Sequence, residues 1–442
     1  MLPNLDAYWK SFAEKRGYMR NLLFSLLTGG MLLIGTPSWA APLTLQECLE
    51  RARQHNPTLK AAAWAPRIAE QDIRQTSAAN YPRIDAQAGY TMQQAAQGAK
   101  IGVVAAETQQ ADYASAGLSA TYTIYDFGRR DARQRMSAAL ADSSVQSFEA
   151  RRTDVALQVI EAYFSILETR KLIAAAADEV AQVEEHRRVA QALFEEGTVT
   201  RNDVLQAEVR LSAAKQKLLT MKNRLENNWL QLNYLTDSQP GFRAELDEAV
   251  SLSSGAATPV DEGDALSRRH DVLALRHGVA ASDMEVRESK AAFYPELYTQ
   301  AALNYVQNDK ALEQTIMAAT IGVKVNLFDG FASTANRERA VRNRSRNQDA
   351  LRQAESQAHL EIDTSRNDVN VARERIGVAQ TAIRQSEENL RINRERYRER
   401  VGTATEVLDA QTLVTQAKTD YYSALYDYQV SQARLKRAVG EL

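Results

Sequence analysis

Long stretches without glycine or proline, paired around a single glycine, occur twice in this chain. Arg129 to Glu196 contains neither residue, Gly197 interrupts, and neither returns until Pro240. From Ala332 to Val401 only Gly377 intervenes, Gly402 interrupts, and the chain is again free of both until Gly440. Glycine and proline are the residues that break helices most strongly, so this spacing predicts two pairs of very long helices, each pair turning at one glycine. A helix over 129–196 would reach ~100 Å at 1.5 Å per residue. Alanine, glutamine, arginine, glutamate and leucine dominate these stretches, a composition suited to long helices that pack closely. Val155, Val159, Ala162, Ile166, Leu167 and Ile173 mark one apolar face of the first.

Each long stretch follows strand-like alternation. Ile84, Ala86, Ala88, Tyr90 and Met92 alternate with Arg83, Asp85, Gln87, Gly89 and Thr91. A polar loop over 94–112 leads to a second alternation, with Ala114, Ala116, Leu118, Ala120, Tyr122 and Ile124 on one side. The second half repeats this with Leu297, Thr299, Ala301, Leu303 and Tyr305, then Met317, Ala319, Ile321, Val323 and Val325. Strands of ten residues or so suit a tilted membrane strand. Asp126 and Gly128, and later Asp329 and Gly330, turn the chain from strand to long helix.

The order of elements implies an internal duplication. The first repeat spans 41–240, a linker 241–262, and the second repeat 263–442, where a helix runs from Asp264 to Ala292. Gly197-Thr198-Val199-Thr200 is echoed by Gly402-Thr403-Ala404-Thr405. Aligning the two glycines gives the first copy two extra residues. Four strands cannot close a membrane barrel, since about eight is the practical minimum, so several chains would have to pool them.

Residues 1–40 read as a secretory signal. Lys15, Arg16 and Arg20 precede the apolar run Leu22–Ile34, and Ser38 and Ala40 supply the small residues of a cleavage site. Met19 opens a complete n-region of its own. As a membrane anchor the run is short and is broken by Gly29-Gly30. The single cysteine, Cys48, excludes an intramolecular disulfide, and Leu45-Gln46-Glu47 before it does not suit lipid attachment.

Net charge is −2, which asks for no nucleic-acid partner. The basic run Arg337–Arg346 reads as a solvated helix face below the membrane, and Glu361 and Asp363 as solvated charges. Tyr81, Tyr125, Phe127, Phe293, Tyr294, Phe328 and Phe331 cluster at the strand ends and fit either an interfacial girdle or ordinary strand-end packing. The five histidines are scattered and no catalytic, phosphate-binding or metal motif occurs, so no enzyme activity, cofactor or metal is expected.

Thr44-Leu45-Gln46-Glu47-Cys48-Leu49 with Asn56-Pro57, Tyr81-Pro82, Tyr125-Asp126-Phe127-Gly128-Arg129, Leu327-Phe328-Asp329-Gly330 and Val401-Gly402-Thr403 with Val407-Leu408-Asp409-Ala410 resemble, in order and spacing, the TolC family of outer-membrane channel proteins. The resemblance implies a mainly α, mixed fold. A long antiparallel α-helical barrel joins a membrane β-barrel shared by a homotrimer, with four strands per chain. It implies an exit duct across the periplasm that docks on a periplasmic membrane-fusion adaptor and an inner-membrane ABC or RND transporter. It places Gly197, Thr198, Gly402 and Thr403 at the periplasmic tip where the adaptor docks, and Asp203, Glu406 and Asp409 at the pore constriction. The family's gate latch has a tyrosine before and an arginine after the second tip glycine. Glu399 and Ala404 stand there instead, with Tyr397 and Arg400 nearby. Type I protein secretion is the expected role. Small-molecule efflux and a non-pore periplasmic coiled coil are the alternatives.

Overall fold

The two expected long helices are equal in length, and everything else is arranged along them. The computed structural model describes residues 42–249 and 262–442, so the signal segment and most of the linker lie outside the described residues. Leu43 onward forms one compact unit. It opens with α1 (Leu45–His55), α2 (Pro57–Ala62) and α3 (Trp64–Ser77). Thr44 and Glu47 close a capping box at the start of α1. Pro57 breaks the run, because proline cannot continue a helix but is well placed at its first position. Strands β1 (Arg83–Met92), β2 (Gly98–Ile101), β3 (Val104–Glu107) and β4 (Asp112–Tyr125) follow. Then come α4 (Arg129–Glu195), α5 (Arg201–Thr236), α6 (Glu262–Arg268) and α7 (His270–Ala291). The chain ends with β5 (Glu296–Val306), β6 (Thr315–Lys324), α8 (Ala332–Arg398) and α9 (Ala404–Ala438).

The main sheet is antiparallel, in the order β1-β4-β5-β6. Register pairs Ile84 with Ala120, Ala86 with Leu118, Leu118 with Leu303 and Leu303 with Met317. Because side chains alternate, this stacks the apolar residues of all four strands on one face. Arg83, Asp85, Gln87, Thr121, Gln300 and Thr320 fall on the other. The apolar face is bare: Tyr90 is 64% exposed and Met317 78%. β1 and β6 each have one edge unpaired among the described residues. The expected polar loop 94–112 instead contains the hairpin β2–β3, turning at Gly102, whose φ of +64° favours glycine. Four-residue strands are too short for alternation to reveal.

The helices form four columns. α3 lies along the sheet-proximal part of α4 and α5 along the distal part. α7 and α9 stack in the same way on the other flank of α4, and α8 covers that second stack. Each stack is joined by one buried side chain. Asn56 Nδ2 donates to the Leu235 carbonyl at the end of α5 (2.8 Å), and Arg269 Nη1 to the Ala438 carbonyl at the end of α9 (3.4 Å). Both satisfy carbonyls that a helix end leaves without partners. Arg269 also binds Asp271 and Glu361, and Arg437 binds Glu361 (2.8 Å) and Asp154 (2.9 Å). Glu361 is therefore a shared acceptor between two arginines rather than a solvated charge. The expected continuous helix from Asp264 to Ala292 is interrupted at this joint, at Arg269. No described helix is long and apolar enough to cross a membrane.

The core sits where α1, α4, α5, α9 and the first part of the linker meet. Val159, Ile160, Tyr163, Phe164, Ile166 and Leu167 are all buried, so α4 is covered here over a broader arc than the single expected face, with Gln158 left exposed on the remaining side. Tyr163 Oη donates to the Leu43 and Asp247 carbonyls (3.1 and 2.9 Å), tying the bridge between Leu43 and Leu246 to α4. Cys48 is fully buried in this core, which pushes its thiol up to about 12 and leaves it a small apolar residue.

The two joints give a graded prediction. Asn56→Ala should cost about 2 kcal/mol by orphaning the Leu235 carbonyl and the Leu59 amide. Arg269→Ala leaves Asp271 and the Ala438 carbonyl without this partner, while Glu361 keeps Arg437, and should cost about 3 kcal/mol. Thermal unfolding of the detergent-extracted protein should rank wild type above Asn56→Ala and Asn56→Ala above Arg269→Ala.

Candidate functional site

The helix pairs α4–α5 and α8–α9 turn at the end remote from the sheet, and a constant offset of 203 residues relates them. Arg129 corresponds to Ala332, Arg201 to Ala404, and the left-handed Asp237 to the left-handed Gly440. At the strand-to-helix turns, Phe127-Gly128 and Gly330-Phe331 all have positive φ, with the glycine on opposite sides. Asp126 Oδ2 accepts from the Arg130 amide (2.9 Å) and Asp329 Oδ2 from the Ser333 amide (3.0 Å), so both carboxylates fasten the first turn of a long helix.

The same offset corrects the alignment of the distal turns. Gly197 has φ +72°, and the Thr198 amide donates back to the Leu193 carbonyl (2.9 Å). In the second turn Arg400 takes that left-handed position with φ +65°, and the Val401 amide donates to the Arg396 carbonyl (2.9 Å). Gly402 is thus the counterpart of Val199, and no two-residue insertion separates the copies. Gly402 is instead closely approached: a Cβ there would lie 3.1 Å from Arg396 Cβ and 3.2 Å from Glu406 Oε2.

Beyond each turn a capping box starts the return helix. Asp203 Oδ2 accepts from the Thr200 amide (2.9 Å) and hydroxyl (3.0 Å). Glu406 Oε2 accepts from the Thr403 amide (2.9 Å), and the Glu406 amide donates to Thr403 Oγ1 (3.3 Å). Asp203 and Glu406 are structural equivalents. Asp409 lies one turn beyond Glu406, exposed, but its counterpart in the first copy is Gln206, which accepts from the Thr405 hydroxyl (3.1 Å). Thr198 and Thr403 stand at the exposed surface of the turns. Of the residues weighed for a latch, Tyr397 is buried, Arg400 is held in its turn, Ala404 is buried, and Glu399 ends α8.

A buried polar layer behind the turns was not evident from sequence. The His186 and Tyr397 rings lie 5.1 Å apart, each residue 5% exposed. His186 Nε2, Tyr397 Oη and Gln411 Oε1 have no hydrogen-bond partner among the described residues. Gln411 Nε2 donates to the Gln182 carbonyl (3.2 Å), and Arg394 to Gln182 Oε1 (3.2 Å). Apolar side chains, among them Val183, Leu408, Leu390 and Val407, make up the adjoining clusters. Burial, together with the like charge of Arg394 on α8, pushes His186 down to about 4, against a smaller opposing pull from Asp203 on α5. Nothing in the spacing of five scattered histidines singles this one out. Among the described residues no group of His, Cys, Asp and Glu is arranged to hold a metal ion.

Residues 48–236 and 263–441 match the family described as outer membrane efflux protein. The chain is 22% identical over 442 residues to outer membrane protein TolC of Vibrio cholerae, covering 96% of both. It is 22% identical over 333 residues to the alkaline protease secretion protein AprF of Pseudomonas aeruginosa, covering 74% of this chain and 69% of that one. Its fold superimposes on the outer membrane protein VceC of Vibrio cholerae with a TM-score of 0.79 at 19% identity, over 90% of this chain and 96% of VceC.

Acid should loosen the layer behind the turns. A histidine held below its ordinary value of 6.5 contributes stability that is complete above about 6.5 and is lost as pH falls toward 4. The full loss is about 3 kcal/mol. Limited proteolysis at the distal turns should therefore quicken between pH 7 and about pH 5 in the wild type and stay flat in His186→Phe.

Proposed function

The chain belongs to the outer membrane efflux protein family, and we propose that three copies of it close into one duct whose distal turns form the pore constriction. It is an outer-membrane channel of the Gram-negative envelope that serves secretion or efflux. The observation that carries the assembly is the main sheet: one apolar face, one polar face and two unpaired edges. In hydrocarbon every backbone group must find a partner within the protein, so such a sheet enters a membrane only as part of a closed barrel. Two copies would give eight strands, whose interior side chains fill. Three copies give twelve and are the smallest number that leaves a lumen. The end columns also carry bare apolar residues suited to pairing between copies: Val209 (71% exposed) and Leu219 on α5, Val378 (71%) on α8.

In this reading the repeats 41–240 and 263–442 each supply one helical hairpin to the periplasmic wall. Gly197, Thr198, Gly402 and Thr403 meet a periplasmic adaptor coupled to an inner-membrane ABC or RND transporter. Asp203, Glu406 and Asp409 contribute acidic rings that attract cations and repel anions. The capping role of Asp203 and Glu406 does not compete with this, since a helix N-terminus favours negative charge. Protein cargo fits the similarity to an alkaline protease secretion protein.

In planar bilayers, Glu406→Ala with Asp409→Ala should lower cation selectivity and weaken cation block severalfold. Unchanged selectivity and block would refute the constriction. For cargo, a deletion strain should lose secreted proteins while keeping its drug tolerance. The reverse result would make the duct a small-molecule exit.

A further inference from the structure

A cavity lies at the other end of the long helices, where strands give way to helix. It measures about 720 Å³ and opens between the start of β1, the end of β4 and the first turns of α4. Four arginines line it, Arg83, Arg129, Arg130 and Arg133, against two carboxylates, Asp126 and Glu296. We infer that this neck holds an anion-binding station, which takes carboxylate or phosphate groups of cargo as they pass from the helical tunnel into the barrel. The inference rests on the duct reading, under which the polar face of the sheet lines the lumen.

The register says which way the cavity opens. Arg83 pairs with Thr121 across β1 and β4 on the polar face, and the Thr123 hydroxyl donates to Glu296 on β5 (2.6 Å). The mouth is therefore on the side away from the apolar, lipid-facing residues. A lipid headgroup is excluded by that placement, which leaves cargo in the lumen as the source of the anion.

The arginines divide into two kinds. Arg130 is fully engaged: Nε meets Asp126 Oδ2 (3.1 Å), Nη1 the Ala79 carbonyl (3.1 Å) and Nη2 the Ile124 carbonyl (3.3 Å). Arg133 Nε is held by Glu288 (2.9 Å). These two build the wall. Arg83 is paired with Asp85 (2.9 Å) but its side chain is 80% exposed, and an exposed pair of this kind contributes little and exchanges partners readily. Arg129 is exposed and has no ion-pair partner among the described residues. Asp126 is committed to Arg130, and Glu296 accepts from Thr123. One strand and one helix thus each present an available guanidinium to the same cavity. The planar guanidinium fork matches carboxylate and phosphate oxygens two at a time. Repeated in each copy, the site places these two available guanidiniums around the neck, each beside carboxylates already engaged by other groups. Weak binding at successive sites of the duct favours passage, because a group that enters must also leave.

The test uses the reconstituted assembly in planar bilayers, with tripolyphosphate and, separately, citrate added on the barrel-mouth side so that neither crosses the acidic turns. The wild type should be blocked by both. Arg83→Gln with Arg129→Gln should require about tenfold more of either anion for half block, the loss of a charge-assisted contact. Arg135→Gln, a basic residue further along α4 paired with Asp131, should match the wild type. A wild-type channel that conducts potassium without block, or a double variant blocked as readily as the wild type, overturns the station and leaves the duct reading intact. A preparation that forms no channel at all removes the duct reading itself.

Discussion

A four-stranded sheet with two bare edges and one mainly apolar face is unstable alone in water or in lipid, and the rest of this molecule is consistent with that fact. In water the apolar face would be a large exposed patch. In lipid each unpaired edge group would cost several kcal/mol. Closure with other copies removes both penalties. It also explains why apolar residues such as Val209 and Val378 stand exposed on the end columns of the helical wall while the interior columns bury alanine, valine and leucine. Sheet and helices reach the same solution because each continues the other through the turns at Asp126 and Asp329.

The wall needs columns of matched length, and the chain obtains them by stacking. α4 and α8 run unbroken over 67 residues each. Beside them shorter helices meet end to end at joints closed by Asn56 and Arg269, which donate to equivalent carbonyls, Leu235 and Ala438. Different side chains perform one task in the two copies, which is how a duplicated unit keeps its geometry while its sequence drifts. The distal turns behave alike: Gly197 and Arg400 occupy the same left-handed position. An arginine there costs conformational energy that glycine does not, and the surrounding hydrogen bonds must offset it.

Much of this was legible in the residues. The long helices followed from the absence of glycine and proline, and the strands from clean alternation whose phase the register preserves. The strand-to-helix turns were marked by Asp126-Phe127-Gly128 and Phe328-Asp329-Gly330. What stayed hidden depends on contacts across the fold. The break at Arg269 carries no proline or glycine. Glu361 could not be matched with Arg269 or Arg437 from its neighbours alone. The echo of Gly197 by Gly402 misled the alignment because similarity of residues outweighed the hydrogen bonding that sets the turn. His186, Tyr397 and Gln411 come from three helices and share no sequence pattern.

The account stands on the number of chains that close the barrel. The mass of the folded, detergent-extracted assembly, measured by native mass spectrometry, tests this most directly. The account predicts a single species of three copies that separates into single chains only on heating. A folded species of one or two copies would contradict it, because neither four nor eight strands leave an open lumen.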